Sequence, residues 1–563
     1  MISSVENRRA AIAARHPTWV EMTLDAYLDK AAADFEAEPL VITDAETLSY
    51  RDVASLSRKI SGSLNALGLR PGERVGVVMA NHAITVPLLF AIWRAGAVAV
   101  PINTLYRVEE LEYAIREADC AFLVIMRQFG SRRYVDDLDA RVADWRAGPS
   151  DAFPQLRVVL TFDENRPDEF LKALPSGIDP ATVNPATAHD AAVVMFTSGS
   201  TGFPKGVVQT HDNLLRAAYA GAYHQAFEQG RRAVFSLPLY HGFGLVVGLL
   251  SGLAAGGAIV PLLKFEPDTI LRAIGRHQAT FLMGVPTMTI ALMEQARTAS
   301  YDLSSLTAIH SAASPTPSWV WRQIQETFGC QEIFTSYGQT ETTATIVCTQ
   351  PGDPIEIVSA TQGCIVQAGV AGIPSLGGQI AEFKTIDPES GEDLPWGAPG
   401  ELCTRGPMNS QGYFRRPEET EKIMLPGGWL KTGDLGQFRP DGNLFLTGRS
   451  KELYKSRGEL VSPKELEQLL TLHPAIAQAF LIGMPDERWG ECGCAWIVRG
   501  EGHVIEAEAV MAYLAERVAR YKLPRDIWFI EAEALPKTGT GKVQKNQLRL
   551  MADQMISNMA EAQ

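Results

Sequence analysis

Cysteine is scarce in this sequence. The 563 residues include seven cysteines, an odd number without regular spacing, which argues against a disulfide framework and fits a reducing compartment such as the cytoplasm. Cys492 and Cys494 lie close together, but no second Cys/His pair at ligand spacing accompanies them. We therefore interpret them as buried strand residues, the alternative being a metal or redox pair.

Basic runs and unbroken apolar runs are also missing. The formal net charge is −14 without a basic stretch, so we predict no nucleic-acid partner. Residues 1–17 contain arginines but no apolar region, which predicts no secretory signal. Residues 244–263 are apolar enough to suggest a membrane span, but Gly256, Gly257 and Pro261 interrupt them. This pattern favours a buried helix, a turn and a strand, with no membrane span.

The chain is too long for one hydrophobic core, so we expect at least two domains. Up to about residue 370, helical patterns such as 24–35 and 53–67 alternate with short apolar runs, which predicts an α/β architecture with a largely parallel sheet. Closely spaced turn signals after that point predict a smaller β-rich subdomain. The last hundred or so residues predict a small α/β domain, with Ser462 and Glu465 forming a capping box at a helix start.

A glycine-rich loop stands out in the first half of the chain. The stretch "FTSGSTGFPKG" at 196–206 has three glycines, four hydroxyl side chains and one lysine, and it follows an apolar strand pattern. Glycine lets the backbone approach a phosphate, and Lys205 adds a positive charge. A Walker P-loop needs Lys followed by Ser or Thr, whereas Gly206 follows here. The loop predicts phosphate binding, with a flexible connection as the open alternative.

Four further stretches indicate a function only when they are taken together, because each alone also fits an ordinary loop or turn. In "SYGQTETTA", Tyr337 offers a flat face for a base and Glu341 a ligand for Mg²⁺. In "KTGDLGQF", Asp434 fits a ribose diol, or equally an Asx turn. The stretches "LTGRSKELYKSRGE" and "LPKTGTGKVQK" are rich in lysine and glycine, and each alone is typical of a solvated loop.

The order and spacing of these motifs resemble those of the adenylate-forming superfamily, which includes acyl-CoA synthetases, aryl-CoA ligases, luciferases and adenylation domains. "LSYRDVASLSRKISGSLNALGLRPGERVGVVMANH" also resembles the family's opening, so the likeness covers nearly the whole chain. It implies an N-terminal adenylation domain over 1–449, with the β-rich subdomain over about 370–449. A mobile C-terminal α/β domain over 450–563 follows, with a hinge near Lys451.

The resemblance also implies a reaction and its participants. A carboxylic acid and ATP give acyl-AMP and pyrophosphate, and the acyl group then passes to a nucleophile, most often the thiol of CoA. Lys542, His241, Thr340 and Glu341 are the implied catalytic residues, with Glu341 also binding Mg²⁺. The implied nucleotide and CoA contacts are Thr197, Ser198, Gly199, Ser200, Thr201, Gly202, Lys205, Tyr337, Asp434, Arg449 and Gly458. The implied acyl-pocket residues are His241, Phe243, Gly244, Ser311, Ala312 and Gly338.

Two departures from the family pattern qualify this prediction. Leu460 stands where relatives often have Gln or Asn, which bears on the second half-reaction. Ser311 stands where they often have Gly, which favours a compact acid over a long fatty chain. An amine acceptor, giving an amide, stays open as an alternative. So do an inactive nucleotide-binding protein and a P-loop phosphohydrolase, although Lys542 and Glu341 argue against the former and the position of Lys205 against the latter.

Overall fold

The structure is a computed structural model that describes residues 4–176, 186–197, 204–313, 316, 318–456, 459–486, 489–538 and 543–561. Its α-helices are α1 (Val5–Arg15), α2 (Leu24–Phe35), α3 (Tyr50–Ala66), α4 (Thr85–Arg94), α5 (Val108–Glu117), α6 (Tyr134–Arg141), α7 (Pro167–Ala173), α8 (His211–His224), α9 (Ser251–Ala255), α10 (Pro267–His277), α11 (Pro286–Ala296), α12 (Ser318–Phe328), α13 (Ile355–Ala360), α14 (Pro417–Ile423), α15 (Pro463–Leu470), α16 (Ala507–Ala515) and α17 (Lys545–Glu561).

Strands alternate with these helices along most of the chain. They are β1 (Pro39–Ile42), β2 (Thr47–Ser49), β3 (Arg74–Val78), β4 (Val98–Pro101), β5 (Cys120–Met126), β6 (Val158–Phe162), β7 (Ala191–Thr197), β8 (Lys205–Thr210), β9 (Arg232–Phe235), β10 (Ala258–Pro261), β11 (Phe281–Gly284), β12 (Ala308–Ser311), β13 (Glu332–Phe334), β14 (Ser336–Gln339), β15 (Ala344–Cys348), β16 (Cys364–Ile365), β17 (Glu382–Ile386), β18 (Gly400–Arg405), β19 (Met424–Leu425), β20 (Trp429–Phe438), β21 (Leu444–Arg449), β22 (Tyr454–Ser456), β23 (Glu459–Val461), β24 (Ile476–Asp486), β25 (Gly490–Arg499) and β26 (Asp526–Phe529).

Two large, mostly parallel sheets build the first part of the molecule. The six-stranded sheet has the order β6-β5-β3-β4-β7-β8, and the seven-stranded sheet has the order β13-β12-β11-β9-β10-β1-β2. Only the edge pairs β7–β8 and β1–β2 run antiparallel. One continuous core joins both sheets, with α4 buried along its whole length. The Trp93 indole N–H donates to the carbonyl of Ala192 at 2.9 Å and so links α4 to β7.

Antiparallel sheets follow these two, as the turn-rich sequence predicts. Strands β14-β15-β16 form a small sheet, and β17-β18-β20-β19 form another in which β21 also pairs with β20. The C-terminal sheet has the order β23-β22-β25-β24, with β26 parallel to β25. Alternate residues of β24 and β25 pack against α15 and α16 on one face and α17 on the other. The predicted fold class, α/β sheets with a β-rich subdomain and a small α/β C-terminal domain, is confirmed.

Several local predictions are confirmed. The helical pattern 53–67 forms α3, which begins with a reciprocal capping box between Ser49 and Asp52. The apolar stretch 244–263 forms a π-helix over Phe243–Leu250, then α9, a left-handed turn at Gly256 and β10. Cys492 and Cys494 are buried on β25. Within the described ranges, no helix is long and apolar enough to cross a bilayer.

The predicted capping box at Ser462 is wrong, although α15 does begin at Pro463. The Ser462 hydroxyl donates instead to the carbonyl of Thr447 at 2.6 Å. Glu465 pairs with the Lys522 ammonium at 2.7 Å rather than with the helix start. Ser462 and Glu465 therefore contact residues distant in sequence, which the local pattern cannot predict.

Buried histidines predict acid sensitivity of the fold. His224 is 1% exposed, and burial lowers its pKa to about 4. Its Nδ1 accepts from the backbone N–H of Gln367 at 3.0 Å, so the ring is held neutral. An unfolded histidine has a pKa near 6.5, so the unfolded chain alone takes up the proton as pH falls from there to about 4. Each such group costs about 1.4 kcal/mol of stability per pH unit in that window.

We therefore expect the urea midpoint of unfolding to fall as the pH drops from 7 to 5. His224→Gln should reduce that dependence, because it removes one proton-binding group from the unfolded state. The exposed His503 provides the matched substitution, and His503→Gln should keep the dependence of the parent protein. Equal slopes for all three proteins would contradict this explanation.

Candidate functional site

The candidate site lies where strands of both large sheets end. β9, β11 and β12 run parallel, and their carboxyl ends lead to His241, to Pro286 and to Ala312. β7 ends at Thr197, at the glycine-rich loop. In open α/β sheets, ligands bind beyond the carboxyl ends of the strands. The sequence motifs therefore reach the edge at which a ligand is expected.

The glycine-rich loop joins β7 and β8 as a hairpin. Thr197 pairs directly with Lys205 in the antiparallel register, and the Thr197 hydroxyl lies 3.4 Å from the Lys205 carbonyl. The predicted loop residues between them lie outside the described residues, namely Ser198, Gly199, Ser200, Thr201 and Gly202. The structure thus describes the two strands that carry the loop.

The Lys205 side chain is anchored beside this hairpin. Its ammonium pairs with the carboxylate of Glu419 at the start of α14. It also lies 5.0 Å from the ring centroid of Tyr413, a cation–π arrangement. Neither partner was predicted, because both are separated from Lys205 by more than 200 positions and belong to no periodic pattern.

Tyr337, Asp434 and Arg449 form one cluster, as their predicted roles require. The Tyr337 hydroxyl donates to Asp434 Oδ2 at 2.9 Å, and Arg449 Nε lies 2.9 Å from Asp434 Oδ1. Asp434 and Arg449 are also direct partners in the β20–β21 register. Tyr337 is 7% exposed, and burial raises the pKa of its phenol, so the hydroxyl stays protonated.

Gly338 explains how Tyr337 and Glu341 reach the same site. A β-bulge separates Tyr337 from Gly338 in the β14–β15 pair. A Cβ atom at Gly338 would stand 1.6 Å from the carbonyl oxygen of Ala344, so only glycine fits this approach. The following residues, Thr340–Thr342, form a 3₁₀ turn.

Glu341 in that turn has a defined partner. The Tyr413 hydroxyl donates to Glu341 Oε1 at 2.8 Å. Within the described part of the chain, Oε2 has no hydrogen-bond or ion-pair partner. The neighbouring Thr340 is held through its backbone, because the Gln209 side-chain amide donates to its carbonyl at 2.8 Å. A carboxylate fixed through one oxygen leaves the other available to a ligand.

This donor set fits Mg²⁺ bound together with a nucleotide. The described residues contain no group of three or more His, Cys, Asp or Glu side chains that could hold a metal ion alone. Mg²⁺ is commonly held by one or two carboxylates together with substrate phosphates. Glu341, held by Tyr413 beside the glycine-rich hairpin, would supply the protein's share of such a site.

Most of the predicted acyl-pocket residues lie on or next to the π-helix and β12, and Gly338 lies on β14. His241 precedes the π-helix, and burial lowers its pKa to about 4, so the imidazole is neutral near pH 7. The Phe243 ring lies edge-on to His310, with centroids 5.0 Å apart. A Cβ atom at Gly244 would stand 2.4 Å from the Pro238 carbonyl, so close backbone packing requires that glycine.

Ser311 and Ala312 end β12 beside this helix. Both are buried, and the Ser311 hydroxyl lies 3.0 Å from that of Thr289 on α11. His310 next to them is fully buried, and its Nε2 lies 2.9 Å from the Ser336 hydroxyl. The serine that departs from the family pattern is therefore tied to α11 by a polar contact.

The C-terminal motifs are described in part. Lys451 lies in the 3₁₀ turn Ser450–Glu452 that links β21 to β22. Lys542, Gly458 and the side chain of Leu460 lie outside the described residues. Their predicted roles stay predictions.

Comparison with known proteins identifies two matching family models and several similar CoA ligases or synthases. A family model described as "AMP-binding enzyme" matches residues 28–414, and one described as "AMP-binding enzyme C-terminal domain" matches residues 465–542. The medium-chain acyl-CoA ligase ACSF2 of Danio rerio is 33% identical over 95% of this chain and 88% of its own. A feruloyl-CoA synthase of Amycolatopsis is 32% identical over 89% of this chain and 93% of its own. The crystal structure of the anthranilate CoA ligase AuaEII with anthranoyl-AMP is 25% identical, with a TM-score of 0.82, and the match covers 96% of this chain and 99% of that one.

Proposed function

The chain belongs to the AMP-binding enzyme family, and from that premise we propose that it activates a compact carboxylic acid with ATP and transfers the acyl group to the thiol of CoA. It is an AMP-forming acid–thiol ligase. The compact acid and the individual residue roles are our proposals. Seven free cysteines support a reducing compartment, and we propose the cytoplasm.

One observation carries the residue assignment. Tyr337 and Glu341 are four positions apart, and long-range partners hold both in place, Asp434 for the tyrosine and Tyr413 for the glutamate. A nucleotide spanning these two points would stack its base on Tyr337 and direct its phosphates toward Glu341. Asp434 and Arg449 would then face the ribose hydroxyls, and the hairpin with Lys205 would face the β- and γ-phosphates.

The first half-reaction joins two anions. A carboxylate oxygen attacks the α-phosphorus, a P–O bond to the acid forms, and the bond to pyrophosphate breaks. Mg²⁺, held by Glu341, would offset the charge that develops on the phosphate oxygens. Lys542 would contribute a second positive charge between the carboxylate and the α-phosphate, and Thr340 would contact the latter. Positioning and preorganised electrostatics of this kind supply most of the catalysis in phosphoryl transfer.

The second half-reaction needs a path for the thiol. His241, neutral because burial lowers its pKa to about 4, would line this path without adding a charge. The thiol sulfur attacks the acyl carbon and gives up its proton, the C–O bond between the acyl carbon and AMP breaks, and AMP leaves with the electrons of that bond. Transfer to an amine, giving an amide, is the runner-up, and an inactive nucleotide-binding protein is the alternative of another class. The relatives are named as CoA ligases or synthases, which supports the thiol.

The compact acid is inferred from the pocket walls. Phe243 contacts His310, and Ser311 carries a hydroxyl where glycine would leave space. Ala312, Gly244 and Gly338 would complete the walls through their backbones. Two relatives are named as a medium-chain acyl-CoA ligase and a feruloyl-CoA synthase, so both types of acid belong in the test of substrate size.

Domain movement is proposed about Lys451, between units 1–449 and 450–563. Polar contacts join the two sides in this structure. Lys455 Nζ lies 2.7 Å from Glu389 Oε1, and the Ser462 hydroxyl donates to Thr447. Beyond the hinge, Lys545 Nζ lies 2.5 Å from Glu452 and 2.8 Å from Glu467, so the start of α17 is tied to the hinge turn. The Lys455–Glu389 and Ser462–Thr447 contacts would have to break for one turn to reorient the C-terminal unit.

Lys451→Pro is expected to spare acyl-AMP formation and to slow thioester formation at least tenfold, because proline fixes φ at the hinge. Pyrophosphate exchange reports the first step, and CoA-dependent release of AMP reports the second. Lys422→Ala, an exposed lysine on α14 before the hinge, should leave both steps unchanged. Equal losses in the two steps would count against the hinge.

The function itself is tested with a panel of acids. Aromatic, short-chain and medium-chain acids are each incubated with ATP and Mg²⁺, with CoA, with amino acids or with neither, and products are followed by mass. We expect AMP formation that depends on the acid, and acyl-CoA from a compact member of the panel. Amide products would favour the runner-up, free phosphate a hydrolase, and ATP binding without turnover an inactive protein.

A further inference from the structure

Tyr413 lies between the two candidate phosphate-site groups. Its hydroxyl donates to Glu341 Oε1 at 2.8 Å, and its ring centroid lies 5.0 Å from Lys205 Nζ. Glu419, six positions further on, pairs with the same ammonium. One short segment, 413–419, thus contacts both the proposed metal ligand and the lysine of the glycine-rich hairpin.

The backbone fixes Tyr413 in this position. The Phe414 N–H donates to the Gly206 carbonyl at 2.7 Å, and the Val208 N–H donates to that of Gly412 at 2.9 Å, so residues 412–414 run along β8. The N–H of Tyr413 itself donates to the Thr420 hydroxyl at 2.9 Å. The backbone of Tyr413 is therefore fixed along the hairpin strand, in the position from which its side chain reaches Glu341.

The hydrogen bond to Glu341 has a definite direction. A phenol hydroxyl can donate whereas a carboxylate oxygen accepts, so the Tyr413 hydroxyl donates to Glu341 Oε1 at 2.8 Å. Oε1 is thereby occupied, and Oε2 keeps its lone pairs for a cation. Partners of this kind orient metal-binding carboxylates in many sites.

We propose that Tyr413 is a positioning residue that holds Glu341 ready to bind the divalent cation of the nucleotide. The inference rests on the proposed function, since it gives Glu341 its metal. The hydroxyl acts on the cation only through Glu341, and the ring acts on Lys205. Loss of the hydroxyl should therefore weaken cation binding and leave acid binding unchanged.

Tyr413→Phe tests the hydroxyl alone. Mn²⁺ binding is measured by electron paramagnetic resonance, with the intact protein, α,β-methylene-ATP and no acid, so that no turnover occurs. We expect the dissociation constant for Mn²⁺ to rise about tenfold, the scale of lost second partners at metal sites. In the complete reaction, the Mg²⁺ needed for half-maximal pyrophosphate exchange should rise similarly, the KM for the acid should stay constant, and excess Mg²⁺ should restore the rate.

Tyr301→Phe is the matched control. The Tyr301 hydroxyl, in the segment after α11, also donates to a carboxylate, that of Asp268 on α10, at 2.7 Å. This variant should bind Mn²⁺ as the parent protein does, and so gives the effect of losing a Tyr–carboxylate bond elsewhere. Tyr413→Leu removes the ring as well and should also weaken binding of the analogue in the absence of metal, through Lys205.

Two failures are distinguishable. If Tyr413→Phe binds Mn²⁺ like the parent protein while the parent forms acyl-AMP, the positioning role is wrong and the ligase function stands. If the parent protein forms no acyl-AMP with any acid, the proposed function fails. The Mn²⁺ titration needs no turnover and therefore still tests the positioning role. An unchanged dissociation constant for Mn²⁺ in Tyr413→Phe overturns the inference, and a raised dissociation constant supports it.

Discussion

Lys542→Ala should lower acid-dependent pyrophosphate exchange about a thousandfold while ATP still binds. In the proposed mechanism this ammonium would stand between the attacking carboxylate and the α-phosphate, where charge develops during the reaction. Removing one preorganised donor from such a position typically lowers the rate by about 10²–10³-fold. Exchange of labelled pyrophosphate into ATP measures the step, and equilibrium dialysis measures ATP binding.

Lys537→Ala is the control for this variant. Lys537 lies on the same C-terminal segment, is exposed, and donates to the Ala532 carbonyl at 2.9 Å. The control removes an equal charge from the segment and should keep the parent rate. Normal exchange by Lys542→Ala, or equal losses in both variants, would contradict the role assigned to Lys542.

Gly338→Ala should lower the stability of the protein and displace the residues at the centre of the site. The new methyl would stand 1.6 Å from the Ala344 carbonyl, and backbone atoms must move to admit it. Overpacking of this kind costs about 3 kcal/mol or more. Because Tyr337 and Glu341 flank the position, we expect activity to fall about a hundredfold even in the folded fraction, as small misplacements do. Thermal unfolding and pyrophosphate exchange are the two measurements.

Gly252→Ala makes the same chemical change where the structure has room. Gly252 lies in α9, and no atom of the described residues outside its own stretch of helix lies within 4 Å of a Cβ built there. Alanine in a helix is favoured over glycine by roughly 0.5–1 kcal/mol, so this variant should be at least as stable as the parent. Equal stability of Gly338→Ala and the parent would show that the β14–β15 approach is looser than described.

Elements decided by neighbours in sequence could be predicted. The apolar spacing of residues 53–67 is a local property, and it predicted the helix α3 (Tyr50–Ala66). The break at Gly256 likewise follows from glycine's access to positive φ. At Ser462 the same kind of reasoning failed, because Thr447 took the hydroxyl.

The site shows the same division. The sequence indicated Tyr337, Glu341, Asp434 and Arg449, since their motifs carry recognisable residue types in a fixed order. It did not indicate which groups hold them. Tyr413 and Glu419 reach Glu341 and Lys205 only because 412–414 pairs with β8, a long-range contact without a local pattern. Partner choice of this kind is set by tertiary packing.

Transfer of a labelled oxygen tests the central claim most directly, which is that the acid's own oxygen attacks the α-phosphorus of ATP. The acid that the panel identifies as a substrate is labelled with ¹⁸O in its carboxylate and incubated with ATP, Mg²⁺ and CoA. The mass of the released AMP is then measured by mass spectrometry. The account predicts AMP that carries one ¹⁸O atom, because the oxygen bonded to phosphorus stays there when the acyl carbon moves to sulfur. Unlabelled AMP, or ADP and phosphate in its place, would contradict it.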